Sequence, residues 1–433
     1  MSEKRRDKKG RLLRAGEYQR KDGKYEYKYV DIDGNRKSVY SWQLVSTDRV
    51  PSGKKSDGAL RDLELLILKD IQDGIHSKKK LTFAECYTQY ISTKRRLKIT
   101  TLSHYNAVYD RYVQPEFGNR IVDSITKSKI KRYYEGILYD KGLSMQSLKG
   151  IHGIMNATLQ FAAKEKYMRE NPASEAFGEV KNEHVTEKET IPRISLTEEQ
   201  QNRFMCFLST YRNQQLNDMV TVLLGTGCRL GELLGLTWSD CDFNNRIIKI
   251  NHNLAYIKDD TGKRNFHITT TKTSAGTREI PMLDMVREAL LRTKRRSDAN
   301  ESREEKVSVG GYTDFVFLNR RGNLYIEDRV YVLFEYAINS YNKQEEEAAK
   351  AEGRDPDPLP MFSAHNLRHT FCTRFCENET NVKVIQSIMG HSNINVTMDI
   401  YNHATRAKKE ASMRNLNSVL NNRNFTTNFT TNY

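Results

Sequence analysis

Four segments in the second half of the chain carry side chains suited to phosphate chemistry. The first is Gly225-Thr-Gly-Cys-Arg229-Leu-Gly-Glu232-Leu-Leu-Gly-Leu-Thr-Trp238. An apolar stretch, Met219–Leu224, runs into a glycine-rich turn, and a new helix is predicted from near Arg229. An arginine there can aim its planar fork at a phosphate, beside the amides of a helix N-terminus. Glu232, one turn on, can hold the guanidinium in place. The second segment, TTKTSAGTREIPM from Thr270 to Met282, follows strands predicted at 246–256 and 265–271, which puts Lys272 near a hairpin tip. The third is Ser363-Ala-His365-Asn-Leu-Arg368-His369. His365 and Arg368 are three apart, share a helix face, and can reach one phosphate. The fourth holds Gly390-His391-Ser392 and then Thr397-Met-Asp-Ile-Tyr401. Each alone is ordinary: a surface arginine, a solvated lysine, an HxxR pair, one of 23 tyrosines. Their joint order and local frames are not.

The whole composition points to the same kind of partner. Lys plus Arg is 70 against 55 Asp plus Glu in 433 residues, a net charge of +15, which favours a polyanion, most often nucleic acid. The surplus is uneven. Residues 1–80 carry +8, 81–180 carry +5 and 181–433 only +2. A basic front is joined to a nearly neutral back. No apolar run approaches the length of a membrane helix, and MSEKRRDKKGR has no apolar segment behind its charges, so neither a membrane protein nor a secretory leader is expected. The six cysteines are scattered without a CxxC pair and read as reduced thiols, not a disulfide framework or a metal site. Cys372 and Cys376 read as small core residues, and His369 as packed or hydrogen-bonded within its helix.

The front divides in two. Aromatic and β-branched residues alternate from Gly10 to Val45, punctuated by Asp22-Gly23 and Asp33-Gly34. Three short antiparallel strands follow, near 11–15, 24–31 and 36–43, and then a helix at 58–73. Arg20, Lys21, Lys24, Lys28, Arg36 and Lys37 lie on or beside the strands, and a basic three-stranded sheet can enter a major groove. A solvated charged face is the plain alternative. After a basic linker ending at Lys80, helices are predicted at 82–94 (N-capped by Thr82), 101–116, 126–141 and 144–167, closed by Asn171-Pro172. Lys94, Arg95, Arg96, Lys127, Lys129 and Arg132 recur along them and can touch phosphates. Residues 173–194 read as a linker. A further helix opens at Thr197, with Gln200 three residues on. Residues 296–310 and 341–360 read as charged surface loops, 404–420 as a helix with Met413, Leu416, Val419 and Leu420 on an apolar stripe, and 421–433 as a disordered tail.

The ordered set in the back half resembles the tyrosine recombinase (phage-type integrase) family. The matching frames are TGCRLGELLGLTW, TKTSAGTREIPM, HNLRHTFCT and IMGHSNINVTMDIYNH. All six catalytic positions of the family pattern are filled, by Arg229, Lys272, His365, Arg368, His391 and Tyr401. The resemblance covers roughly 80–415, and the basic front sheet is similar to the arm-binding domain of integrases of conjugative transposons. It implies a multidomain fold. A small three-stranded β-sheet plus helix (1–75) would bind arm-type DNA sites. An all-α domain (81–175) would bind core-type sites. A linker (176–195) would lead to a mixed α+β, mainly α, catalytic domain (196–415) and a tail (416–433).

The resemblance also implies the chemistry. Tyr401 attacks a phosphodiester, giving a 3′-phosphotyrosine and a free 5′-hydroxyl. Arg229 and Arg368 clamp the non-bridging oxygens, Lys272 protonates the leaving oxygen, His365 accepts the tyrosine proton and His391 hydrogen-bonds the phosphate. No cofactor or metal is needed. The implied partners are double-stranded DNA at the ends of a mobile element, further copies of the chain in a homotetramer with 404–420 docking on a neighbour, an excisionase and a host DNA-bending protein. The implied setting is the bacterial cytoplasm, on the nucleoid. Two alternatives stand beside this reading: a type IB topoisomerase that nicks and reseals, and a DNA-binding regulator with a silent site.

Overall fold

The computed structural model describes residues 5–32, 34–55, 57–74, 81–184, 195–259, 262–270, 274–299, 307–402, 413–414 and 416–418. Two compact units, Met1–Glu189 and Thr190–Tyr433, divide the chain.

The first unit opens with an antiparallel sheet in the order β1 (Glu17–Gln19), β2 (Tyr25–Val30), β3 (Arg36–Ser41), with α1 (Leu60–Gln72) packed on β2 and β3. Tyr25, Tyr27, Leu44 and Leu60 form its core. The first strand lies at 17–19, not at the predicted 11–15. The tight turn centred on Gly23 (φ 88°), where the Arg20 amide donates to the Lys24 carbonyl, sets the register Glu17↔Tyr27. Residues 11–13 instead fold back on 5–6: the Leu13 amide donates to the Arg5 carbonyl, and Leu12 bridges Arg6.

The helical part of this unit comprises α2 (Phe83–Ser92), α3 (Ile99–Val108), α4 (Gln114–Phe117), α5 (Lys127–Glu135), α6 (Met145–Lys164) and α7 (Ala173–Glu183). Wide helical turns at Tyr109–Val113 and Gly136–Asp140 join α3 to α4 and extend α5. The predicted helices at 101–116 and 126–141 are therefore nearly continuous. Thr82 caps α2 as expected, in a reciprocal box with Glu85, while Thr126 and Ser144 cap α5 and α6. The expectation of a linker from 173 is overturned, because Ala173–Glu183 is helical and Pro172 starts this helix rather than ending the previous one. Its small stripe of Ala173, Ala176 and Val180 is buried, and ion pairs from Lys127 to Glu175 and Glu179 and from Lys131 to Glu183 bind it to α5. Three small apolar residues are too weak a periodic signal to read in sequence. The basic linker at 76–80 and residues 185–194 lie outside the described residues.

The second unit contains α8 (Glu198–Thr210), α9 (Gln214–Thr226), α10 (Leu230–Gly235), β4 (Cys241–Asp242), β5 (Ile247–Ile250), β6 (His252–Lys258), β7 (Arg264–Thr270), β8 (Arg278–Pro281), α11 (Asp284–Asp298), α12 (Glu327–Glu352), α13 (Ala364–Asn378) and α14 (Val382–Met389). The Thr197–Gln200 capping box opens α8 as predicted. Helix α9 is the core element: every residue from Leu216 to Thr226 is buried, with α11 and α13 packed on it. Buried Asp218 ties α9 to α11 through Arg292 (2.9 Å to Nε) and Arg296. The predicted strand 246–256 is two strands in different sheets: β5 lies between β4 and β8, and β6 pairs with β7.

The expected loop at 341–360 is mostly helix, since α12 runs to Glu352 and stops at Gly353 in the left-handed conformation (φ 67°). Glu, Lys, Gln and Ala propagate a helix without any apolar pattern to betray it. Here Ala349 is buried and Arg354 clasps Glu345 at 2.5 Å. In the other expected loop, 296–298 still belongs to α11 and 300–306 lies outside the described residues. Of 404–420, the described residues 413–414 and 416–418 are helical, with Met413 and Leu416 exposed. Val419, Leu420 and the tail at 421–433 lie outside the described residues. Among the described residues no helix is long and apolar enough to cross a membrane.

Candidate active site

Helix α9 ends at Gly227, whose left-handed backbone (φ 61°) turns the chain sharply into Cys228 and Arg229. A side chain on Gly227 would strike the Phe371 ring. Arg229 is the N-cap of α10, the position expected from its frame. Its amide donates to Glu232 Oε2 at 2.9 Å and its Nη1 to Glu232 Oε1 at 2.7 Å, so Glu232 does hold the guanidinium. The arginine stays half-exposed while Glu232 is buried.

Arg368 comes from the first turns of α13 and is 3% exposed. Its Nη1 donates to the Gly227 carbonyl at 2.5 Å and its Nη2 to the Met389 carbonyl. Burial, and then the neighbouring charge of Arg229, pull the Arg368 guanidinium down to about 10. Two guanidiniums are thus held close, with the turn after α14 beside them: Arg229 Nη2 reaches the Gly390 carbonyl at 3.3 Å. An exposed arginine and a buried one, converging from two helices, form a cradle for one anionic group.

Helix α14 ends at Gly390, again left-handed (φ 63°), and presents His391 next. The His391 Nδ1 shares a 2.9 Å hydrogen bond with the hydroxyl of fully buried Thr397. Burial first, and then the charges of Arg368 and Arg229, push the His391 imidazole down to about 3. It is neutral near pH 7, so its other ring nitrogen can make a hydrogen bond but carries no charge.

Residues 394–402 are helical and carry Tyr401. Its half-buried ring packs on the cluster of Cys372, Cys376, Ile385 and Met389, as do Phe371, Phe375 and Ile400. Cys372 and Cys376 are core residues, as expected. His365 is exposed on α13 while Arg368, three residues on, is buried, so the shared face straddles the surface. His369 is nearly buried and hydrogen-bonds His365 between their Nε2 atoms at 3.1 Å.

Lys272 lies outside the described residues. The expectation that it sits near a hairpin tip therefore falls outside them; the β6–β7 hairpin turns at Asp259–Lys263 and β7 ends at Thr270. Among the described residues no group of three or more His, Cys, Asp or Glu side chains is arranged to hold a metal.

Reading by motif missed Arg278. It is buried on β8, donates to both oxygens of Glu232 (2.8 and 3.3 Å), and reaches the Ile388 carbonyl through Nε at 2.7 Å. A signal was present: period two puts Arg278 on the same face as buried Ile280, a position where a charge needs a partner.

In the first unit, strand pairing aligns Tyr18, Glu26 and Tyr40 across the outer face of the sheet, with Lys28 opposite Ser38 and Arg36 opposite Val30. Arg20 and Lys24 lie over the Tyr40 ring and Lys28 over Tyr18, so cations and aromatic rings interleave on this face, with exposed Lys21 in the β1–β2 turn. Lys37 is different. It shares the inner face with Val39 and pairs with buried Asp31 at 3.5 Å. In the helices, Arg95 and Arg96 are exposed between α2 and α3, with Lys94 over the Tyr90 ring; Lys129 and Arg132 are exposed on α5, whereas Lys127 is engaged by α7.

Comparison with known proteins matches three stretches of the chain. Residues 1–71 match the DNA-binding domain of Tn916 integrase, 82–138 the SAM-like N-terminal domain of phage integrases, and 195–408 the phage integrase family. The chain is 36% identical to the transposase from transposon Tn1545 of Streptococcus agalactiae over 419 residues, covering 96% of this chain and 98% of the relative. It is 35% identical to the transposase from transposon Tn916 of Enterococcus faecalis over the same shares. A solved structure of the Tn1549 transposon integrase in complex with a circular intermediate DNA is similar with a TM-score of 0.62 at 29% identity, covering 76% of this chain and 99% of that one. The chain belongs to the phage integrase family of tyrosine recombinases, enzymes of DNA strand exchange, and is an integrase of the conjugative-transposon type.

Proposed function

We propose that the protein excises and integrates a mobile element, a conjugative transposon, through a 3′-phosphotyrosine at Tyr401. The observation that carries this is the convergence of Arg229, Arg368 and neutral His391 beside the helix that bears Tyr401. The Tyr401 oxygen forms a bond to phosphorus, the bond to the 5′-oxygen breaks, and the phosphodiester energy is kept in the phenol ester. The tyrosine proton passes to His365, and the leaving 5′-oxygen takes a proton from Lys272. Arg229 and Arg368 neutralise the two non-bridging oxygens. When the 5′-hydroxyl of another strand attacks, phenolate leaves more readily than an alkoxide would, because its ordinary pKa is only about 10. Two arginines and a lysine supply the charge stabilisation and two histidines the proton transfer and hydrogen bonding, so the chain's own side chains suffice.

The three parts take separate roles in this reading. The front sheet binds arm-type sites with its cation–aromatic face, the α2–α7 helices bind core-type sites, and residues from 196 onward cut and rejoin. A homotetramer on two DNA duplexes, with 404–420 docked on a neighbouring copy, is the working form. An excisionase and a host DNA-bending protein set the direction, in the bacterial cytoplasm. The test is a core-site duplex nicked next to the cleavage position, so that the 5′-product diffuses away. The wild type accumulates a covalent protein–DNA product and Tyr401→Phe accumulates none. Failure of the wild type on its own element's ends would overturn the proposal.

A further inference from the structure

Three consecutive carbonyls at the end of α14 each accept from a different arginine. Arg278 Nε holds Ile388 at 2.7 Å, Arg368 Nη2 holds Met389, and Arg229 Nη2 holds Gly390 at 3.3 Å. The carbonyls at a helix C-terminus carry partial negative charge, so the end of α14 is a natural seat for cations. Two of these arginines belong to the phosphate cradle. The third, Arg278, cannot reach a phosphate: its side chain is 3% exposed, and its donors are already taken by Glu232, Gly276 and Ile388.

We propose that Arg278 is a positioning residue for DNA cleavage, aiming Arg229 through Glu232 and fixing the turn that presents His391. The carboxylate of Glu232 is shared. Its Oε1 takes Arg229 Nη1 at 2.7 Å and Arg278 Nη1 at 3.3 Å; its Oε2 takes the Arg229 amide at 2.9 Å and Arg278 Nη2 at 2.8 Å. A buried carboxylate keeps its charge only beside a cation. Arg278 is the buried cation here, and despite burial it keeps the Glu232 carboxyl below its ordinary value. Without Arg278, Glu232 either takes up a proton or turns fully onto Arg229. Both outcomes draw the exposed guanidinium out of line.

The second contact acts on the other wall of the site. Gly390 packs so closely on Arg278 that an added Cβ would lie 3.0 Å from both Cδ and Nη1. The guanidinium and the Ile388 carbonyl together set where α14 stops, and His391 is the next residue after Gly390. A lysine could neutralise Glu232 but could not also hold Ile388, because one ammonium lacks the fork geometry.

The inference rests on Arg229 acting as a phosphate clamp, and the experiment separates the two claims. Single-turnover cleavage of the nicked core-site duplex and equilibrium binding of an intact duplex are measured for full-length wild type, Arg278→Met, Arg278→Lys, Arg229→Lys and the double variants. Arg278→Met is expected to slow cleavage about 30-fold, the scale of lost charge-assisted hydrogen bonds, while duplex binding stays within about 2-fold. Arg278→Lys is expected to fall between it and wild type. In the Arg229→Lys background, either Arg278 change should cost clearly less than in the wild-type background, because the route through Glu232 is already broken and only the turn before His391 remains. The same cleavage loss in both backgrounds, or a loss that follows duplex binding, would overturn the inference and leave Arg278 a structural residue. If Arg278→Met does not fold, Arg278→Lys carries the same cycle. An Arg229→Lys protein that cleaves like wild type would overturn the clamp assignment itself.

Discussion

Glu232 and Arg229 are joined twice, by a 2.7 Å contact between the side chains and by a 2.9 Å bond from the Arg229 amide to the other carboxylate oxygen. The two bonds fix both the start of α10 and the direction of the guanidinium. One buried carboxylate therefore serves as a helix cap and as a mount for the Arg229 guanidinium.

Glu232→Gln should destabilise the protein, because buried Arg278 loses its counter-charge. Breaking a buried pair from one side typically costs about 3–5 kcal/mol, readable as a lower midpoint in urea. The pH dependence follows from the sign of the shift. The folded value lies below the ordinary 4.5, so this stability is fully present above about 4.5 and is lost as pH falls through the lowered folded value. In Glu232→Gln the acid-induced loss should be shallower than in wild type. An unchanged midpoint and acid profile would contradict the buried-pair account.

His391 should remain neutral at pH 5 in the DNA-free protein. Its folded value of about 3 lies below the ordinary 6.5, so its contribution to stability is complete above about 6.5 and falls away as pH drops toward 3. Histidine side-chain NMR reads this directly. Replacing the cationic surroundings with a bound phosphodiester should move the titration upward, since the phosphate offsets the charges of Arg368 and Arg229. An imidazole that titrates near 6.5 without DNA would rule out the packed, cation-flanked site.

Arg368→Ala and Tyr401→Phe should fail differently. Removing Arg368 takes away one wall of the cradle and two carbonyl contacts. Cleavage should fall by about 100- to 1000-fold, as on removal of other transition-state donors, and the melting temperature should drop too. Tyr401→Phe keeps the ring packed on Cys372, Ile385 and Met389. It should melt like wild type, bind duplex normally and form no covalent product. A large thermal shift in Tyr401→Phe would mean that its hydroxyl is structural.

Lys28→Ala and Lys37→Ala, nine positions apart on neighbouring strands, should separate cleanly. Lys28 is exposed on the cation–aromatic face over Tyr18, whereas Lys37 is on the opposite face with Asp31. Lys28→Ala should weaken arm-site binding and lower the salt-dependence slope by about 1. Lys37→Ala should leave the slope unchanged. Equal effects would mean that DNA does not use the outer face.

Much of the architecture was legible because its causes are local. Alternation and the Asp22-Gly23 turn identify the front sheet, and Thr82 and Thr197 mark helix starts three residues ahead of Glu85 and Gln200. Where the local signal was weak, the reading failed. Charged helix formers disguised the last three turns of α12, and the short stripe of Ala173, Ala176 and Val180 hid α7 until α5 was there to cover it.

Read alone, the chain already offers the chemistry: two arginines, two histidines and a tyrosine in an ordered set of frames, with a lysine at 272, and a surplus of positive charge of which 13 of 15 lie in the first 180 residues. How those groups are poised follows from the folded chain alone. Arg278 meets Glu232 across 46 residues and Ile388 across 110, and His391 becomes neutral because burial and two arginines from other helices surround it. Such contacts leave no local pattern. A buried charge is tolerable only where folding has already brought its partner, so its meaning exists only once the chain has closed around it.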